Sequence, residues 1–124
     1  MEENQFQQLL KAVNNEDIWH FRMSAVKEIL TELLEGEFKD KIEERKFKII
    51  LKELKDRSLA KIHSKDGQVY LFINLENWEK NANFSKSLRG ILRHELLHLE
   101  TGQSDQDLDF RIEAKRRGID IWNV

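Results

Sequence analysis

Leu88-Arg89-Gly90-Ile91-Leu92-Arg93-His94-Glu95-Leu96-Leu97-His98-Leu99 is the stretch from which the fold is read. Phe84, Leu88, Ile91, Leu92 and Leu99 recur at the spacing of a helix that buries one stripe, which predicts a helix from about Phe84–Ser85 to Glu100, closed by Gly102. Upstream the period changes. Gln68 to Asn74 carries Tyr70, Phe72 and Ile73, the aromatic and β-branched weight of a strand. Leu59 to Ser64 is a second strand, joined to it through Lys65-Asp66-Gly67, a turn in which Gly67 takes positive φ. Leu75 to Asn83 reads as an irregular connection with one helical turn around Trp78.

Outward from this core the chain reads as helix on both sides. Phe6, Leu9, Leu10 and Val13 fall at helical spacing and end at Asn14–Asn15. Ile18 to Leu34 continues in the same way to Gly36, a helix stop. A third helix is expected from about Glu37 to Arg57, with Phe38, Ile42, Phe47, Ile50, Leu51 and Leu54 as its apolar stripe. After Gly102, Ser104 and Asp107 resemble a capping box for a last helix to Arg117, which Gly118 ends with three cations in its final turn. The expected architecture is α+β: one domain over residues 1–124, with a helical part at 1–57, a core at 59–118 and a short tail at 119–124.

The composition supports a globular chain. At 124 residues, 40% hydrophobic and 35% charged, the sequence suits one domain with a modest core. A net charge near −2 gives no general attraction to nucleic acid or membrane, so neither is expected as a partner. No apolar run is long enough for a transmembrane helix and the start is polar, so cytoplasmic residence is the expectation. Without cysteine there is no disulfide or thiolate chemistry.

The chemistry sits in His94-Glu95-Leu96-Leu97-His98. Residues four apart on a helix lie one above the other, so both imidazoles can reach one metal ion. Zinc (Zn2+) accepts such nitrogens at about 2.0–2.1 Å and in catalytic sites keeps one position for water. Glu95 can hold that water and take its proton as it attacks a polarised carbonyl. The alternative is two exposed histidines and a solvated glutamate on an amphipathic helix. Gly90, one turn before His94, would allow a close backbone approach or serve packing.

The run Leu71-Phe72-Ile73-Asn74, a connection, then Leu88 to Leu99 resembles the strand-to-helix core of zincin metallopeptidases, and within them is most similar to minigluzincins and SprT-like proteins. That resemblance covers roughly residues 59 to 119. It implies a zincin-like fold, a zinc metalloendopeptidase acting on peptide or protein substrate, and an edge strand at about Val69 to Asn74 that pairs with extended peptide above the metal. It also implies that a C-terminal segment keeps the enzyme latent as a zymogen by occupying the cleft. Residues 119 to 124 are therefore expected either to pack on the helical core, as a tied-down terminus does, or to lie at the cleft, where an extended strand could pair with Val69 to Asn74.

The sequence departs from this group at the third ligand. These families use a histidine after the motif helix, and no histidine follows His98. Alignment on Phe110 puts the position near Gln106, flanked by carboxylates. Asp107 shares a helical face with Phe110 and Ala114 and is the first choice; Asp105 is the second and Glu113 the third. Each can instead serve a cap or the helix dipole.

His20 and His63 read as packing or surface residues, with His63 as a substrate-binding alternative. Tyr70 reads as a packing residue that could also face an oxyanion. Trp19, Trp78 and Trp122 read as packing residues, and Lys115-Arg116-Arg117 as a solvated helix end. Two other functions remain open. Ile49 to Leu54 followed by the 59–74 hairpin scans like the last helix and wing of a DNA-binding module. A zincin that keeps zinc for structure alone is the other.

Overall fold

The computed structural model describes residues 2–11, 20–42, 46–55, 58–74, 84–119 and 121, with the side chains of 11, 20–22 and 84–87 outside the description. Among these residues the chain forms α1 (Glu3–Lys11), α2 (His20–Glu35), β1 (Lys46–Lys52), β2 (Ala60–Lys65), β3 (Gln68–Asn74), α3 (Phe84–Thr101) and α4 (Leu108–Arg117). The fold is α+β. Trp19, Trp78, Trp122 and the connection 75–83 fall outside the described residues, as does the side chain of His20.

β3 holds the centre of a three-stranded sheet ordered β1-β3-β2. Its near-continuous apolar run, Val69 to Ile73, suits a strand buried on both faces. β2 pairs with it antiparallel, from Ala60↔Ile73 to Lys65↔Gln68. The hairpin turn has both central residues at positive φ, Asp66 at 52° and Gly67 at 79°, the twist that a two-residue connection demands.

β1 corrects the sequence reading. Residues 46–52 form a strand parallel to β3, in register from Lys46↔Gln68 to Lys52↔Asn74, where a helix over Glu37 to Arg57 was expected. The error has a physical origin. Phe47, Ile50, Leu51 and Leu54 are spaced as one helical face, but Lys46-Phe47-Lys48-Ile49 also alternates as a strand does. The strand wins because it completes β3 and sends apolar groups to both faces: Ile49 and Leu51 to one, Ile50 to the other. The helix needed before the wing of a DNA-binding module is therefore this strand.

The order of strands brings a second correction. β3 is flanked on both sides, so residues 69–74 are not an edge. Neither substrate nor the C-terminal tail can pair there. The tail begins as packing on the core, the first of its two expected places: Gly118 takes φ 68°, the Ile119 N–H donates to the Ala114 carbonyl at 2.8 Å, and Ile119 is buried, with Ile121 partly buried against the same core.

Two unequal layers cover the sheet. On the inner face, Val26, Leu30 and Leu33 of α2, Leu88, Leu92, Leu96 and Leu97 of α3, and Phe110 and Ala114 of α4 pack on Ile49, Leu51, Leu71 and Ile73. On the outer face, among the described residues, α1 covers Ile50, Leu54 and Phe72 with Phe6, and Leu9 and Leu10 pack beside it. Nine residues are too few for a helix to hold itself in water. Burial of Phe6, worth roughly 1.5–3 kcal/mol, anchors it.

Of the three C-terminal cations, Lys115 and Arg116 are exposed as expected, and Arg117 is not. Arg117 is largely buried over the Phe38 ring and pairs with Glu100 (2.8 Å) and Glu113 (2.8 Å), while Arg93 bonds Glu37 and the Arg117 carbonyl. This network ties α3 and α4 to the turn after α2. Among the described residues no helix is long and apolar enough to cross a membrane.

Candidate metal centre

α3 carries the histidines because its apolar stripe, Leu88, Ile91, Leu92, Leu96 and Leu97, fixes which face meets the sheet. His94 is 1% exposed, and His98, one turn later, is half-buried. Their rings are held by Phe110 of α4, which stacks on His98 (centroids 4.1 Å apart, planes 2° apart) and meets His94 edge-on at 5.4 Å.

α3 ends at Thr101, and Gly102 turns the chain with φ 69° while its N–H donates to the His98 carbonyl at 2.8 Å. Two consequences follow. The Gln103 carbonyl comes to 2.7 Å from His98 Nδ1; a carbonyl can only accept, so Nδ1 carries the proton. In the neutral ring the Nε2 lone pair then faces the site. Asp105 also returns, its Oδ1 lying 2.8 Å from both His94 Nε2 and His98 Nε2, which are 3.0 Å from each other.

These three donors fit a metal ion. They are the nitrogen and carboxylate ligands zinc takes, and a backbone carbonyl fixes the tautomer of one ring, as the surroundings of metal-bound histidines commonly do. Lone pairs converging within 3.0 Å require positive charge between them, as a proton or a metal cation. A tetrahedral zinc spaces its donors about 3.3 Å apart, so the observed cluster would open by only a few tenths of an ångström.

The order of candidate third ligands changes accordingly. Asp107 is the N-cap residue of α4 rather than part of its face, and its Oδ2 accepts from the Ser104 N–H at 2.8 Å. The helix starts at Leu108, later than the Ser104 start expected, so the i, i+3, i+7 argument fails at its first member. Glu113 is turned to Arg116 and Arg117, and its hydrogen bond to Arg116 is the largest cause of a pKa lowered to about 2. Asp105 is the carboxylate that reaches both histidines.

Glu95 is 5% exposed. Burial above all, and then the charge of Asp105, pushes its carboxyl up to about 8. A dication held by its neighbours would lower it again, toward the range of a general base. His63 and Tyr70 point to the outer face, where both rings pack on Phe6 at 4.2 and 4.8 Å. Gly90 does not serve a close approach: a Cβ there meets nothing within 4 Å.

The site opens on a groove of about 660 Å3, bounded by β2 on one side and residues 102–105 on the other, with Ala60, Ile62, Glu95, His98, Leu99 and Asp105 in its lining. The edge beside the site is thus β2. Nothing in the residue pattern points to Gln103, because a backbone carbonyl has no sequence signature. The chain matches no protein-family model and no curated protein.

Proposed function

We propose that this chain is a zinc-dependent metallopeptidase in which His94, His98 and Asp105 hold the metal and Glu95 is the general base. The observation that carries this reading is the convergence of His94 Nε2, His98 Nε2 and Asp105 Oδ1 beside a buried glutamate on an open groove. Structural zinc sites close with four protein ligands, whereas catalytic ones use three and leave a position open. Three donors among the described residues therefore favour catalysis over a purely structural metal.

When bound, zinc supplies Lewis acidity, bringing the pKa of water to about 7 and polarising a carbonyl oxygen. The remaining work falls to the chain. Glu95 accepts the proton of the attacking water and passes it to the leaving amine. Phe110 and the Gln103 carbonyl keep the His98 ring oriented. β2 has β3 on one side and the groove on the other, so an extended peptide laid along Ala60–Lys65 would cross the site by strand addition. Latency through tail pairing with β3 is not part of this reading, because β3 has both neighbours in place.

The test is metal content and hydrolysis of an unstructured protein substrate. The native chain should hold one zinc, lose activity to a chelator and regain it with zinc. His98→Ala should bind little zinc and stay folded. A native chain that takes up no zinc, or whose hydrolysis survives complete zinc removal, overturns the proposal.

A further inference from the structure

We infer that Gly102 is a positioning residue for the metal centre, its left-handed turn setting both the Gln103 carbonyl that fixes the His98 tautomer and the Asp105 carboxylate that joins the two imidazoles. The inference rests on the zinc reading above.

The role of this glycine is conformational rather than spatial. A Cβ built at Gly102 meets nothing within 4 Å, so a side chain has room; what it lacks is an easy φ, since the residue sits at 69°. If α3 ran on instead, Asp105 would lie seven residues past His98, roughly 10 Å further along the axis at 1.5 Å per residue. The turn is what folds it back to 2.8 Å. Between Gly102 and Asp105 there are two residues, outside helix or strand, and their bonds back to the helix end are the Gln103 carbonyl with His98 Nδ1, at 2.7 Å, and the Gln103 N–H to Thr101 Oγ1, at 3.2 Å. Thr101 Oγ1 itself donates to the Leu97 carbonyl at 2.8 Å, which holds the acceptor still.

Substitutions at 102 then form a graded series. Asparagine tolerates the left-handed region, alanine pays for it, and β-branched valine pays most. Zinc affinity, measured by competition with a chromophoric chelator, should stay within about threefold for Gly102→Asn, fall about tenfold for Gly102→Ala and fall further for Gly102→Val. Thr101→Val, which keeps shape and loses the hydroxyl, should weaken zinc about threefold to tenfold through the same turn. Circular dichroism and melting of the metal-free variants check that each is folded. A second readout needs no metal. Nitrogen NMR of the imidazole in the metal-free chain should show His98 protonated at Nδ1 in the native protein and losing that preference in Gly102→Val. A merely structural glycine would lower the melting temperature and leave the tautomer alone.

If native protein binds zinc and all folded variants bind it equally, the inference is wrong while the zinc reading stands. If native protein binds no zinc, the zinc reading fails, and the tautomer decides the turn: unchanged in Gly102→Val it overturns the inference, and lost it supports it.

Discussion

On the outer face of the sheet His63 Nε2 lies 3.3 Å from Glu3 Oε2, and Lys65 pairs with the same carboxylate. On the inner face His94 and His98 share Asp105 at 2.8 Å, and among the described residues no lysine or arginine pairs with that aspartate. The residue types are the same; the charge balance is not. Glu3 is exposed and already neutralised, chiefly by its hydrogen bond to Lys65, which holds its carboxyl down to about 2. Asp105 meets two ring nitrogens, one of which presents its lone pair. A histidine near a carboxylate is therefore weak grounds for a metal site until one asks whether a cation is already there.

The strongest way to break that contrast is to remove the proposed base and leave the proposed ligands. Glu95→Gln should keep zinc bound and lower turnover roughly 10²–10⁴-fold, because an amide can hold water and cannot take its proton. Metal analysis alongside kcat checks both halves; unchanged turnover removes Glu95 from the chemistry. Next in size is the choice between carboxylates. Asp105→Ala should weaken zinc at least about 100-fold, beyond what the loss of an outer partner costs. Asp107→Ala should leave zinc affinity alone and cost no more than about 1 kcal/mol through its bonds to Ser104. The reverse pattern would restore Asp107 as the ligand.

Those two aspartates also mark where sequence reasoning stops. His94, Glu95 and His98 were legible because a four-residue spacing on a strongly periodic helix fixes geometry locally. The hairpin was legible for the same reason: Asp66-Gly67 specifies its own turn. Asp105 ranked only second, because its position depends on the backbone turn at Gly102, and helical spacing pointed first to Asp107, which stands at a helix boundary where that spacing does not apply. β1 was lost for a different cause. Its seven residues satisfy two periods at once, and only the demand of β3 for a second neighbour decides between them. The edge strand followed from that error, since without β1 the strand at 68–74 looks free on one side.

A third contrast concerns pH. In metal-free protein the folded-state pKa of Glu95 is about 8, above the ordinary value of 4.5. The folded chain then binds a proton that the unfolded chain releases, so stability is fully present below about 4.5 and is lost as pH rises toward 8 and beyond. The loss is on the order of a few kcal/mol. Chelator-treated native protein should melt lower as pH is raised from 5 to 8.5, Glu95→Gln should flatten the slope, and added zinc should offset it. A native slope no steeper than that of the variant would mean that the buried carboxyl is not the cause.

The smallest expected effect lies on the outer face. Glu3 stands at the exposed start of α1, paired with Lys65 and bonded by Gln7, and Phe6 beneath it is 1% exposed. If burial anchors this helix and the charges only decorate it, Glu3→Gln should lower the melting temperature slightly at neutral pH and low salt. That difference should shrink as salt screens the pair. Its pH dependence runs opposite to that of Glu95. A lowered carboxyl pKa contributes stability above the ordinary range near 4.5 and loses it as pH falls through about 2, so native and variant should converge in acid. Phe6→Ala should do far more, by about 3–5 kcal/mol, since Phe6 is the fully buried side chain that α1 sets against Ile50, Leu54 and Phe72. Neither change should alter zinc affinity, because Glu3 is already neutralised by Lys65 and Phe6 packs on the face of the sheet opposite His94 and His98. A Glu3→Gln loss as large as that of Phe6→Ala would show that charge, and not burial, holds the outer layer. A zinc affinity that falls with Glu3 would mean that the two histidine–carboxylate sites are not as different as their cations make them.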